Sequence, residues 1–132
     1  MPRVARPRLP RPTDAELQIL GVMWQRGGST VRQIFNETKK VRNSGYNSVL
    51  KLVQIMHDKG YVKRDESTRP LVFTPTQSEQ QTQKLMARDL LERCFGGSAR
   101  NLIMQVLALK RATPQELADI REQLDKMTRG KA

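Results

Sequence analysis

Residues 46–74 read YNSVLKLVQIMHDKGYVKRDESTRPLVFT. From Tyr46 to Lys59 the apolar residues Val49, Leu52, Val53 and Met56 recur at helical spacing, and Gly60 supplies a helix stop. Two short β-forming runs follow, residues 61–64 and 71–74, around a six-residue stretch, 65–70, rich in turn formers. Opposite the apolar stripe, at 100° per residue, the helix gathers Asn47, Lys51, Gln54 and Asp58.

Upstream, Thr13-Asp14-Ala15-Glu16 is a capping box that opens a helix with Leu17, Leu20, Met23 and Trp24 on its apolar face. Gly27-Gly28 stops that helix. A second starts at Ser29 or Thr30, with Thr30-x-x-Gln33 as another capping pattern, buries Val31, Ile34 and Phe35, and runs to about Lys40; residues 41–45 form a turn. Three helices followed by a β-hairpin is the order of a winged helix-turn-helix. The expected fold class is therefore mainly α with a small β-wing, over residues 13–76.

Downstream the character changes. A helix is expected from Ser78 to Phe95, with Leu85, Leu90, Leu91, Cys94 and Phe95 apolar, until Gly96-Gly97-Ser98 breaks it. A shorter helix over residues 99–109 presents Leu102, Ile103, Val106 and Leu107. Thr113-Pro114-Gln115-Glu116 is a second capping box, and launches a helix with Leu117, Ile120, Leu124 and Met127 at 3-4-3 spacing. Such a narrow seam is the kind that packs helix on helix. Three short amphipathic helices have little to bury against within one chain. Residues 77–132 are therefore expected to form a helical dimerisation region, against the alternative of packing back on the same subunit.

The charge is uneven. Residues 1–76 carry fourteen basic and six acidic residues, and residues 77–132 carry ten and seven, within a net charge of +11. A field concentrated at the N-terminal part suits a polyanion. Residues 1–12, MPRVARPRLPRP, alternate Arg with Pro and are expected to form a flexible basic arm. Such an arm can lie in a minor groove, or add only unspecific attraction to phosphate.

A helix that reads double-stranded DNA needs an apolar side fixed to its own domain and short polar side chains pointing out. The third helix meets both conditions. Asn47 can bond an adenine edge, and Lys51 can reach guanine or a phosphate, with Tyr46, Ser48 and Gln54 beside them. Ser44 and the first amides of the helix suit a phosphate oxygen. Lys63, Arg64 and Arg69 on the wing, and Arg32, Lys39, Lys40 and Arg42 around the helix-turn-helix, would reach the DNA backbone. The alternative for each is an ordinary solvated side chain. Winged helices also serve as protein-interaction modules, and the charge could then dock an acidic partner.

No apolar run approaches the roughly 20 residues that span a bilayer. The N-terminus lacks the apolar core of a secretory signal, so no membrane insertion and a cytoplasmic location are expected. Cys94 is the only cysteine, which leaves no intramolecular disulfide and no multi-cysteine metal site. His57 and Asp58, adjacent on a helix, point about 100° apart and form no positioned pair. No phosphate-binding loop, nucleophile elbow or metal-ligand cluster is legible, so neither enzyme activity, cofactor nor metal is expected.

The residues Thr13-Asp14-Ala15-Glu16-Leu17, Met23-Trp24, Gly27, Gly45-Tyr46-Asn47-Ser48-Val49, Lys59-Gly60-Tyr61-Val62 and Phe73-Thr74-Pro75, in this order, together resemble the penicillinase-repressor family of bacterial regulators. Phe95-Gly96-Gly97-Ser98 and the helix through Leu117 and Leu124 extend the resemblance over nearly the whole chain. It implies a homodimer bound to an inverted-repeat operator, blocking transcription. Tyr46-Asn47-Ser48 fall where the family has a Tyr-Thr-Thr type motif, so the operator sequence is expected to differ. In antibiotic-sensing members a membrane-bound sensor protease triggers cleavage at an Asn-Phe bond, which makes a regulatory protease or sensor protein a further partner the resemblance admits. Asp89-Leu90 stands at that place here, so the cleavage site is not carried over. Copper-responsive members bind metal through a Cys-x-Cys motif near the C-terminus; this chain ends Thr128-Arg129-Gly130-Lys131-Ala132 and has none.

Overall fold

A computed structural model describes residues 11–109 and 111–130. Most of the basic arm, with Arg3, Arg6 and Arg8, therefore lies outside the described residues. Six helices and one hairpin follow in the order α1 (Asp14–Arg26), α2 (Val31–Thr38), α3 (Tyr46–Lys59), β1 (Val62–Asp65), β2 (Val72–Pro75), α4 (Glu79–Cys94), α5 (Ala99–Leu109) and α6 (Pro114–Gly130). The chain divides into two compact units between Ala87 and Arg88, inside α4.

In the first unit, α1 and α2 start on the expected reciprocal caps. The Thr13 hydroxyl accepts the Glu16 amide while the Glu16 carboxylate accepts the Thr13 amide, and Thr30 and Gln33 repeat the arrangement. Each cap satisfies two amides that a helix start leaves without partners. Helix α3 closes on Gly60, whose φ of +89° is the left-handed conformation that a side chain disfavours. The core is formed by Ile19, Leu20, Met23, Val31, Ile34, Val49, Val53, Met56, Tyr61, Val62 and Phe73.

Several sequence expectations shift. Helix α2 ends at Thr38, two residues early, because tighter i→i−3 turns take over: the Lys40 amide bonds the Glu37 carbonyl and the Val41 amide the Thr38 carbonyl, which the Arg42 amide shares. On α1 the buried residues are Glu16, Ile19, Leu20 and Met23, and Trp24 is half-buried with its indole N–H donated to the Gln77 carbonyl at 3.1 Å. Leu17 is half-buried. Each strand begins one residue later than its apolar run, since Tyr61 still completes the end of α3 by donating its amide to the Met56 carbonyl.

Strands β1 and β2 pair antiparallel, Val62 opposite Pro75 and Asp65 opposite Val72. A third backbone segment joins them: Ser29 and Phe73 exchange both hydrogen bonds, at 3.0 and 2.8 Å. This ties the start of α2 to strand β2 of the hairpin. The close approach requires Gly28, where an added Cβ would stand 2.8 Å from Val72 Cγ1. Ser78 caps α4 through Gln81, and Thr82 is the one residue of α4 that is fully buried.

The second unit is built differently. Helices α5 and α6 contain no buried residue. Ile103, Val106, Leu117, Ile120 and Leu124 are all between 41 and 53% exposed. Folding normally removes such side chains from water, each burial stabilising by roughly 1.5–3 kcal/mol.

Candidate nucleic-acid interface

Helix α3 separates its two faces cleanly. Val49, Val53 and Met56 are buried, whereas Asn47, Ser48, Lys51 and Gln54 are exposed. The i, i+4, i+7 spacing of Asn47, Lys51 and Gln54 keeps them on one side of the helix. No side chain caps the start of α3, where Gly45 is the N-cap, so its first amides are open to an acceptor.

Tyr46 is half-buried. Its ring meets Phe35 edge-on, with centroids 5.8 Å apart, and the Arg32 guanidinium lies 4.3 Å above its centroid. This stack fixes the first turn of α3 against α2 by an attraction between a cation and the electron-rich ring face. Lys39 lies 5.5 Å from the Phe35 centroid, and Lys40 pairs with Glu37 at 3.2 Å. Arg42, Ser44 and Ser48 line a groove of about 300 Å³ on one flank of α3. On the other flank, a groove of about 490 Å³ runs between α3 and the hairpin, lined among others by Arg32, Gln54, His57 and Arg64.

The hairpin carries Lys63, Arg64 and Arg69, all exposed. Two of them are engaged within the loop. Arg64 pairs with the Glu66 carboxylate, and Arg69 donates to the carbonyls of Glu66 and Thr68 at 3.0 and 2.7 Å. Asp65 accepts the Ser67 hydroxyl and amide, which hold its carboxyl below the usual range.

The far end of α3 is fastened by groups whose roles sequence reasoning missed. Lys59, its last residue, donates to Glu16 Oε2 at 2.9 Å; Glu16 is 1% exposed and Lys59 36%. Burial alone would raise the Glu16 carboxyl, but the Lys59 ammonium and the Thr13 amide outweigh it and hold its pKa below the usual value. The Glu16 carboxylate raises that of Lys59 in return. A signal for this existed: Glu16 stands three and four residues before Ile19 and Leu20, on the apolar face. The partner, 43 positions away, had none. Thr76 completes the fastening, donating its hydroxyl to the Gly60 carbonyl at 2.7 Å.

The residues expected to pair two subunits fall on both units. Leu85 lies in the first, where it borders a small hollow with Pro12, Leu20 and Tyr61. Leu90, Leu91, Phe95, Leu102, Ile103, Val106, Leu117, Ile120 and Leu124 lie in the second, Leu91, Phe95 and Leu102 half-buried and the others exposed. Cys94 is exposed. Among the described residues, no group of His, Cys, Asp and Glu could hold a metal ion, and no helix is long and apolar enough to cross a membrane.

A three-helix core that presents a polar helix face beside a two-stranded hairpin defines a winged helix-turn-helix protein. The particular family follows from comparison: a family model described as penicillinase repressor matches residues 12–126. The chain belongs to this family of transcriptional repressors. It is 19% identical over 118 residues to a penicillinase repressor of Bacillus licheniformis, covering 89% of this chain and 92% of that protein. It is also 17% identical over 115 residues to a penicillinase repressor of Staphylococcus aureus, covering 87% and 91%.

Proposed function

We propose that this protein represses transcription as a cytoplasmic homodimer bound to an inverted-repeat DNA operator. The observation that carries the reading is the α3 face, where Asn47, Ser48, Lys51 and Gln54 are exposed on a helix whose other side is locked in the core. In this reading α3 enters the major groove. Asn47 bonds an adenine edge, and Lys51 bonds guanine or a phosphate. Tyr46, held by Arg32, sets the angle of entry. Ser44, Arg32, Lys39, Lys40, Arg42, Lys63, Arg64 and Arg69 contact the sugar–phosphate backbone, which positions the domain without reading sequence.

Residues 13–76 form the DNA-binding region and residues 77–132 the dimerisation region. The exposed apolar residues of α4–α6 support a second copy as their cover, because leaving them in water forfeits the burial that stabilises a helical unit. Two linked winged helices would then meet two half-sites and block the promoter between them. The arm, residues 1–12, adds positive charge. A regulatory protease or sensor protein is a further partner in this proposal, with no cleavage site carried over to Asp89-Leu90.

The test is a gel-shift titration of the purified protein against its own promoter region, with random competitor duplex at physiological salt. A discrete shift that survives excess competitor supports an operator-binding regulator, and footprinting then gives the half-sites. A smear abolished by competitor overturns it and moves the chain to a module that docks an acidic protein.

A further inference from the structure

We infer that Glu66, at the tip of the wing, restrains the affinity of the wing for DNA of any sequence by holding Arg64 in reserve. The inference rests on the proposed DNA-binding function. Glu66 serves both wing arginines at once. Its carboxylate pairs with the Arg64 guanidinium, and its carbonyl oxygen accepts Arg69 at 3.0 Å. The two arginines are thus not equivalent. Arg69 is bonded to backbone carbonyls, including that of Thr68 at 2.7 Å, and shapes the loop. Arg64 is held by a side-chain carboxylate alone, and both members of that pair are exposed, at 43 and 65%.

An exposed ion pair is weak and exchanges readily for another partner. A phosphate is such a partner for Arg64, which borders the groove between α3 and the wing. Exchange costs the Arg64–Glu66 pair on every duplex, whatever its sequence, so Glu66 lowers affinity for operator and random DNA by a similar factor, at the expense of the tightest binding the wing could give.

The experiment is fluorescence anisotropy of the full chain on an operator duplex and a random duplex of equal length, across a salt series. Glu66→Gln keeps the backbone carbonyl that Arg69 uses. It is expected to bind both duplexes about three- to fivefold more tightly, the range an exposed ion pair can supply. The salt slope on both should steepen by up to about 0.9, because no freed carboxylate takes up a cation in exchange. The operator-to-random ratio should stay near that of the parent, because a backbone contact carries no sequence information. Glu92→Gln makes the same charge change on exposed α4 and should tighten neither duplex by as much. In an Arg64→Ala background the effect of Glu66→Gln should shrink to that of Glu92→Gln. Random-duplex binding of Glu66→Gln equal to the parent overturns the inference, as does a gain that persists without Arg64. A parent chain that itself shows no operator preference overturns the function proposed above, which is a separate outcome.

Discussion

Removing the Glu16–Lys59 pair should cost stability asymmetrically, according to which partner is lost. Glu16 is 1% exposed, whereas Lys59 is 36% exposed. Glu16→Gln retains the size of the side chain and an acceptor for the Thr13 amide, and leaves behind an ammonium that water reaches; about 1 kcal/mol is expected. Lys59→Met strands a buried carboxylate. Loss of a partner from a fully buried pair costs about 3–5 kcal/mol, and the partial exposure of Lys59 brings the expected figure to about 2 kcal/mol. For a chain of this length that is a fall in Tm of roughly 6–10 °C. The double variant should recover part of the loss, with a coupling of about 1 kcal/mol.

The pH dependence gives a second check on the same pair. The folded-state pKa of Glu16 lies below its unfolded value, so its contribution is complete above that unfolded value, about 4.3. It is lost as pH falls through the lower folded value. Lys59 is raised, so its contribution is complete below its unfolded value and is lost as pH rises through the folded one. The gap between parent and Glu16→Gln should therefore be constant near neutrality and close below about pH 4. The assay is urea unfolding by circular dichroism at fixed protein concentration, since the proposed dimer would make the midpoint depend on dilution. A coupling under about 0.3 kcal/mol, or a gap that ignores pH, would refute the assignment of Lys59 as the stabilising partner.

Other expectations follow from the same structure. Gly28→Ala should destabilise by about 1–3 kcal/mol, because its methyl meets Val72 at 2.8 Å; an unchanged urea midpoint would mean that the wing yields freely. Asn47→Ala should lower the operator-to-random affinity ratio by about 1–3 kcal/mol, while Arg69→Ala should weaken all duplexes more evenly; equal behaviour of both variants removes Asn47 from base reading. Leu117→Asp with Leu124→Asp should convert the protein to a monomer in sedimentation analysis, and a persisting dimer would place the interface elsewhere on the chain.

Much of the winged helix was legible because its signals are local. The bounds of α3 follow from its apolar repeat and Gly60, and the caps at Thr13, Thr30 and Thr113 from pairs three residues apart. The exposure of Asn47, Lys51, Gln54 and Asp58 followed from helix geometry alone. What stayed hidden depends on distant partners: the Glu16–Lys59 pair, the Ser29–Phe73 exchange and the Trp24 bond to Gln77. The wing arginines were hidden for another reason. Their charge was visible, but the turn that folds Glu66 between them follows from backbone geometry that composition does not encode.

The hydrogen bonds of the wing tip are all short in sequence. Asp65 bonds Ser67, Arg69 bonds Glu66 and Thr68, and the Thr68 hydroxyl reaches no farther than Asp65 and Val72. Strand β2, by contrast, is joined to a segment more than forty residues away through Ser29 and Phe73. The tip's hydrogen bonds thus close on themselves, and changes confined to residues 66–69 should leave the tie between β2 and the start of α2 in place. If the wing grips DNA as proposed, that loop is where its grip can be rewritten at least cost to the core.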